Sequence, residues 1–222
     1  MRACATLGML TLVLALVGCS AEPTPTPPPA CPTAAPTATE AQAILEDAAT
    51  ATVTVSGAVS GEFSFELLGD AAPIATANFV ALARCGFYEG IWFHRVLSGF
   101  VIQAGDPQTK GRTGDFEGVG RGGAGYEYEI EQPAEGLDYA PYTVAMANNT
   151  RTNDSQFFIT LVDLAGRLAL DYTIFGRVTE GTDVIDSIAA VPVNDPQVGV
   201  PLSLVTIDSV TVSGAEEPAP SG

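Results

Sequence analysis

Positive charge is what this chain has least of. Among 222 residues, 9 Lys and Arg stand against 26 Asp and Glu, a formal charge of −17, and Lys110 is the only lysine. Such a balance repels nucleic-acid phosphates, and no Lys/Arg cluster reverses it locally, so no nucleic-acid partner is expected. Histidine is nearly absent: His94 stands alone. Multi-histidine metal sites are thereby excluded, and no C-x-x-C pair replaces them, so neither a metal nor a cofactor is expected. No apolar run is long enough to cross a bilayer; the longest, Leu10–Val17, falls well short. Hydrophobic residues nevertheless make up 46% of the chain, enough to bury a core.

The N-terminus reads as an export signal. Arg2 supplies a small basic region, the run Leu10–Val17 the apolar part, and Leu16-Val17-Gly18-Cys19 ends it. That ending resembles the bacterial lipobox, in which the cysteine is acylated and becomes the mature N-terminus. The expectation is a signal peptide over 1–18 and a lipidated Cys19 that anchors the protein to the outer face of the cell membrane. An ordinary secretory signal with an incidental cysteine is the alternative. Cys4 would leave with the signal. Cys31 and Cys85 would remain in a compartment that permits disulfides, and the sequence leaves open whether they pair.

Residues 19–49 form a Pro/Thr/Ala-rich linker, a composition that favours extended chain, with a weakly signalled helix near Ala41–Ala49. The folded domain is expected over 50–213 and a disordered tail over 214–222. Val53 and Val55, then Phe63, Phe65 and Leu67, alternate with small or polar residues about a glycine-containing turn, the pattern of a β-hairpin. Pro73 opens a helix with Ile74, Ala77, Ala81 and Cys85 on one face, and Gly86 ends it. Strand patterns follow at 91–96, 100–103, 143–146, 157–161, 173–178 and 204–212. A second helix fits Thr182–Ala190, with Thr182 as its N-cap. Many short strands with two helices predict a mainly antiparallel, closed sheet.

Gly118-Val119-Gly120-Arg121-Gly122-Gly123 matches G-x-G-x-x-G, but alternating tyrosines follow where a dinucleotide site needs a helix. His94 lacks the nucleophile elbow that would make it part of a hydrolytic triad. Two stretches carry more. Phe93–Asp106 holds Arg95 and Gln103 among strand-forming apolar residues, and Met146–Ile159 holds Asn148 and Gln156 in the same way. Isolated polar groups in such surroundings are costly unless they serve a site, although bonding to loops or packing on aromatics would also satisfy them.

These two stretches are similar to the signature segments of cyclophilins, and the resemblance runs from about Val53 to Val212. It includes Ala77-Asn78-Phe79, Gly86-Phe87-Tyr88 and Tyr172-Thr173-Ile174-Phe175-Gly176-Arg177-Val178, in the family's order. It implies a closed eight-stranded antiparallel β-barrel capped by two α-helices, and peptidyl-prolyl cis–trans isomerase activity on exported, proline-containing polypeptides by a monomer. By the same resemblance Arg95 is the catalytic arginine, with Phe100 and Gln103 beside it. Val101, Phe158 and Leu168 join Phe100 around the proline ring, Ala147, Asn148 and Gln156 join Gln103 along the peptide, Gly120 lines the neighbouring pocket, and Tyr172 stands where many members have histidine.

The chain departs from the family in several places. Arg167 stands where many members have tryptophan, Leu168-Ala169-Leu170-Asp171 replaces the commoner turn, and Val101 replaces a methionine. Residues 108–119 look inserted near the active face. A peptide-binding module that has kept the groove but not the catalysis is the rival reading, and an intact Arg95 argues against it.

Overall fold

The computed structural model describes residues 27–113 and 116–214. The expected signal peptide, Cys19 and all but the first residue of the expected tail lie outside these. The hairpin sits where alternation places it: β1 (Thr50–Gly57) pairs with β2 (Gly61–Leu67), with Val53 opposite Phe63. Ala51, Val53, Val55, Phe63 and Phe65 point inward and are at most 1% exposed. The remaining strands are β3 (Arg95–Leu97), β4 (Val101–Ala104), β5 (Tyr128–Glu129), β6 (Thr143–Asn148), β7 (Thr152–Thr160), β8 (Ile174–Glu180) and β9 (Val205–Ser213). They form one antiparallel sheet in the order β3-β4-β7-β6-β8-β2-β1-β9, with β5 added to β7.

Two expectations about this architecture are corrected. The sheet is an open half-barrel, because its end strands β3 and β9 do not form a ladder. Residues 90–93, ahead of β3, run beside β9 instead, through an isolated bridge between Trp92 and Thr206 and three backbone hydrogen bonds: Gly90 N–H to the Ile207 carbonyl (2.8 Å), Ile207 N–H to the Ile91 carbonyl (2.7 Å) and Phe93 N–H to the Val205 carbonyl (3.0 Å). The outer edge of the short β3 is occupied otherwise: its Val96 N–H donates to the Gly199 carbonyl of a loop (2.7 Å). The helices number three rather than two among the described residues, α1 (Ala38–Leu45), α2 (Pro73–Arg84) and α3 (Thr182–Ala189).

α1 begins with a capping box: the Thr37 hydroxyl accepts from the Glu40 N–H, and the Glu40 carboxylate accepts from the Thr37 N–H. A Cys31–Cys85 disulfide and an Arg84–Asp47 ion pair (2.6 Å) fasten the segment preceding β1 to α2. The pairing that the sequence left open is therefore made. α3 begins at Thr182, and its N-cap is Gly181 in the left-handed region (φ 73°), not Thr182. A side chain on Gly181 would overlap the β2 backbone at Glu62 and Phe63.

α2 buries more than one face: Ala75 to Val80 with Leu82 and Ala83 are all buried, whereas Ile74 and Ala81 of the expected stripe are half-exposed. The reason is Phe79, which meets Phe65, Tyr88, Phe157 and Phe175 at ring distances of 5.0–5.7 Å and seats the helix in the mouth of the sheet. Its N-cap residue, Ala72, has no side-chain acceptor. The Glu131 carboxylate, distant in sequence, takes over, accepting from the Ile74 (2.9 Å) and Ala75 (2.7 Å) N–H groups. Glu131→Ala strands both donors and should lower the unfolding free energy by about 1–2 kcal/mol in urea titrations. Exposed Glu129→Ala is the control, and an unchanged midpoint for Glu131→Ala would refute the capping role.

Candidate active site

The sheet has two apolar sides. Inward residues such as Ile102, Ala104, Val144, Met146, Phe157 and Ile159 join the main core. Their neighbours in sequence point outward, and Val101, Ala145, Phe158 and Ile174 gather there with Tyr139 and Leu164 into a second, smaller cluster. A pocket of about 220 Å³ opens over this cluster, lined by Arg95, Phe100, Val101, Gln103, Ala147, Asn148, Phe158, Leu168 and Tyr172. All nine were singled out in the sequence. A larger groove of about 1020 Å³ lies between α1 and the β2 end, and none of the expected residues lines it.

Strand register explains the grouping. In the β3–β4 hairpin Arg95 is directly opposite Gln103, and on the other side of β4 Gln103 is opposite Phe158 of β7. Two residues further along the same outer faces, Val101 enters the pocket floor. Phe158 and Tyr172 meet edge to face at 5.4 Å. Tyr172 is held through its backbone: the Tyr139 hydroxyl accepts from the Tyr172 N–H and donates to its carbonyl, both at 3.0 Å. Burial holds the Tyr139 hydroxyl proton up to about pH 12, so it keeps both bonds. Tyr139 escaped the sequence reading, because it is a single aromatic in an irregular segment that leaves no periodic signal.

The two remaining expected residues, Gln156 and Gly120, do not line the pocket. Gln156 is 5% exposed and does not line it. Its amide joins a chain: Gln156 Nε2 donates to the Gly122 carbonyl (2.7 Å), Gln103 Nε2 to Gln156 Oε1 (2.9 Å), and Arg95 Nη1 to Gln103 Oε1 (3.4 Å). The polarity of this chain is forced by its ends, since a carbonyl only accepts and a guanidinium only donates. Gly120, in the left-handed region at φ 87°, lies over the His94 ring, and its N–H donates to Asp106 Oδ2 (2.5 Å). Asn148 uses its side chain internally: Nδ2 donates to the Asp171 carbonyl (2.8 Å) and Oδ1 accepts from the Thr150 N–H (2.9 Å). Arg167 is exposed beside Leu168, and Arg121 is exposed between Gly120 and Gly122. The glycine-rich run leads towards β5 and not into a helix.

Chemically the arrangement offers a guanidinium beside a pocket with an apolar floor and no nucleophile within it. His94 lies beneath, 4% exposed, with neither ring nitrogen hydrogen-bonded. Burial lowers its pKa to about 4, the Asp106 carboxylate opposing that shift and the Arg95 guanidinium adding to it.

The sequence model of the family described as cyclophilin type peptidyl-prolyl cis-trans isomerase/CLD matches residues 50–212. Among curated proteins, the chain is 41% identical over 170 residues to peptidyl-prolyl cis-trans isomerase B of Streptomyces anulatus, covering 68% of this chain and 91% of that protein. It is 39% identical over 156 residues to the peptidylprolyl isomerase domain and WD repeat-containing protein 1 of Mus musculus, covering 68% of this chain. There the match spans only 22% of the longer relative's length. Among solved structures, a Cryptosporidium parvum cyclophilin type isomerase crystallised in the presence of the dipeptide Ala-Pro aligns with a TM-score of 0.63 and 28% identity. That alignment covers 73% of this chain and 98% of the other.

The buried, neutral His94 predicts a pH dependence. Its folded pKa lies below the usual 6.5, so between about 6.5 and 4 the unfolded chain binds the extra proton. The stabilisation from keeping the ring neutral is complete above pH 6.5 and lost as pH falls through 4, about 3 kcal/mol in all. As the only histidine, it gives one imidazole signal in NMR. That signal should titrate with a midpoint near 4; a midpoint near 6.5 would contradict the burial described here.

Proposed function

This chain belongs to the cyclophilin-type peptidyl-prolyl cis–trans isomerase family, and from that premise we propose that it catalyses rotation about X-Pro bonds in exported polypeptides while anchored to the membrane as a monomer. The observation that carries the catalytic part is the Arg95 guanidinium beside a pocket with an apolar floor, with one N–H held on Gln103. An amide resists rotation by about 18–20 kcal/mol because the nitrogen lone pair is delocalised into the carbonyl. At the twisted transition state the lone pair localises on the prolyl nitrogen and accepts a hydrogen bond that the planar amide barely accepts. A guanidinium aimed there stabilises the transition state more than the ground state.

In this reading Phe158, Val101, Phe100 and Leu168 hold the prolyl ring while the Ala147–Asn148 backbone and Gln103 hold the peptide on one side of the bond. Tyr172, edge to face with Phe158, closes the pocket. Gln156 acts behind Gln103, and Gly120 leaves room for residues preceding proline. No proton is transferred and no covalent bond breaks, so the lack of a poised base or nucleophile in the pocket is no obstacle.

Two observations support the extracytoplasmic part of the reading. Cys19 follows a lipobox-like sequence, and the Cys31–Cys85 disulfide suits an oxidising compartment. With acyl chains on Cys19 and the disulfide at Cys31, the intervening chain spans at most about 40 Å when fully extended. The pocket would then work close to the membrane, where exported chains emerge.

In a protease-coupled assay with a proline peptide, Arg95→Ala should lower the isomerisation rate roughly 10²–10³-fold, about 2.7–4 kcal/mol, the usual scale for one preorganised donor. Peptide affinity should change far less. Phe158→Ala should weaken rate and affinity together, provided thermal melts show it folded. An Arg95→Ala protein that isomerises at the wild-type rate would transfer the groove to a binding role without catalysis. The anchor is tested separately: the mature protein should begin at an acylated Cys19 and sediment with membranes. A soluble form with unmodified Cys19 would remove that part of the proposal.

A further inference from the structure

We propose that Asp106 is a positioning residue for the isomerase reaction: its buried carboxylate locks the two ends of the loop beside the pocket and thereby aims the Arg95 guanidinium. The proposal rests on Arg95 being the catalytic group. Asp106 is 0% exposed, and no cation among the described residues forms an ion pair with it. Each carboxylate oxygen is instead satisfied by one backbone N–H, Oδ1 by Gln108 (2.8 Å) and Oδ2 by Gly120 (2.5 Å). The Asp106 carbonyl also accepts from the N–H (3.1 Å) and the hydroxyl (2.7 Å) of Thr109. A carboxylate so placed is tolerable in a buried position only while its N–H donors stay in register.

The consequence reaches the pocket through Gly122. Its backbone lies against the same carboxylate, where a Cβ would overlap Asp106 Oδ1 and crowd Gln108 Cγ. Asp106 therefore fixes where the Gly122 carbonyl points. That carbonyl sets the direction of the Gln156 amide, which sets Gln103, which holds Arg95. Nothing else among the hydrogen bonds on these side chains ties Gln156 to the loop. A shift of the loop passes to the guanidinium, and a displacement of 1 Å can lower a rate by about 10²-fold.

The chain also carries its own reporter on the loop. Trp92 is the only tryptophan, 1% exposed, and its indole N–H donates to the Thr109 carbonyl while its ring meets Phe116 edge to face at 5.4 Å. Release of the loop should therefore shift Trp92 emission without unfolding the domain.

Asp106→Asn replaces one acceptor oxygen with an amide group that faces a backbone donor. In the proline-peptide assay it should lower kcat/KM by about tenfold or more, with peptide affinity nearly unchanged and Trp92 emission moved to the red. Gln156→Met cuts the amide chain but leaves the clamp, so it should reproduce the rate loss with native Trp92 emission. Neither substitution should slow the reaction further in an Arg95→Ala background, a result that a general loss of stability would not give. Wild-type rates for Asp106→Asn, or a loss that multiplies in full with that of Arg95→Ala, would overturn the proposal. Should Asp106→Asn fail to fold, a wild-type rate for Gln156→Met overturns it equally. Full activity of Arg95→Ala would instead sink the catalytic reading beneath it, so the two failures are distinguishable.

Discussion

A guanidinium can donate hydrogen bonds but never accept one, and the design of the pocket follows from that asymmetry. Arg95 ends a chain of amides whose other end is the Gly122 carbonyl, a group that only accepts. Between a pure donor and a pure acceptor, Gln103 and Gln156 each have one permitted orientation. Glutamine amides are ordinarily free to turn over, and here neither is. A hydrogen-bond network with a single allowed polarity is stiffer than the number of its bonds suggests, because no alternative pattern satisfies its ends. The guanidinium is thereby tethered through one N–H to an acceptor of fixed orientation.

The sheet makes this possible by serving two cores. Each of β4, β6, β7 and β8 sends alternate residues to the large inner core and to the small outer cluster beneath the pocket. Phe157 and Phe158, adjacent in sequence, illustrate it: one meets Phe79 at 5.7 Å inside, the other meets Tyr172 at 5.4 Å outside. The pocket floor is thus the back of a packed sheet and inherits its rigidity, whereas the pocket roof is built from loops. Tyr139 and Asn148 are the pins of that roof, each tying a strand or loop to the segment just before β8.

What could be read from the sequence, and what could not, divides along the same line. Period-two alternation shows in Val53, Val55, Phe63 and Phe65, and it located the hairpin and most strands to within a few residues. Arg95, Gln103 and Asn148 stood out because polar side chains amid strand-forming residues need partners, and the family resemblance assigned them to one groove. Apart from the third helix α1, the misses are contacts between segments distant in sequence. Glu131 caps a helix whose N-terminus lies 57 residues away, and nothing local marks it. The opening of the sheet depends on Val96 finding Gly199 rather than β9. Thr182 looked like a cap by residue type, but the close approach of β2 demands glycine, so Gly181 takes the position. Local propensity describes elements well; it does not say which distant group satisfies their ends.

The choice of partner for Arg95 is the point at which the composition and the chemistry meet. With 26 acidic residues against 9 basic ones, a carboxylate neighbour would be the statistically easy arrangement, as Arg84 shows by pairing with Asp47 at 2.6 Å. Arg95 is held by an amide oxygen instead. An adjacent carboxylate would orient the guanidinium equally well, but on the proposed mechanism it would also cancel most of the field at the prolyl nitrogen and compete for the donated hydrogen bond. A neutral acceptor orients without neutralising. The one buried carboxylate close by, Asp106, has both oxygens turned to backbone N–H groups rather than to the arginine. Acidic charge is therefore present behind the pocket but fully engaged, and on the proposed mechanism the guanidinium would keep its charge for the rotating bond.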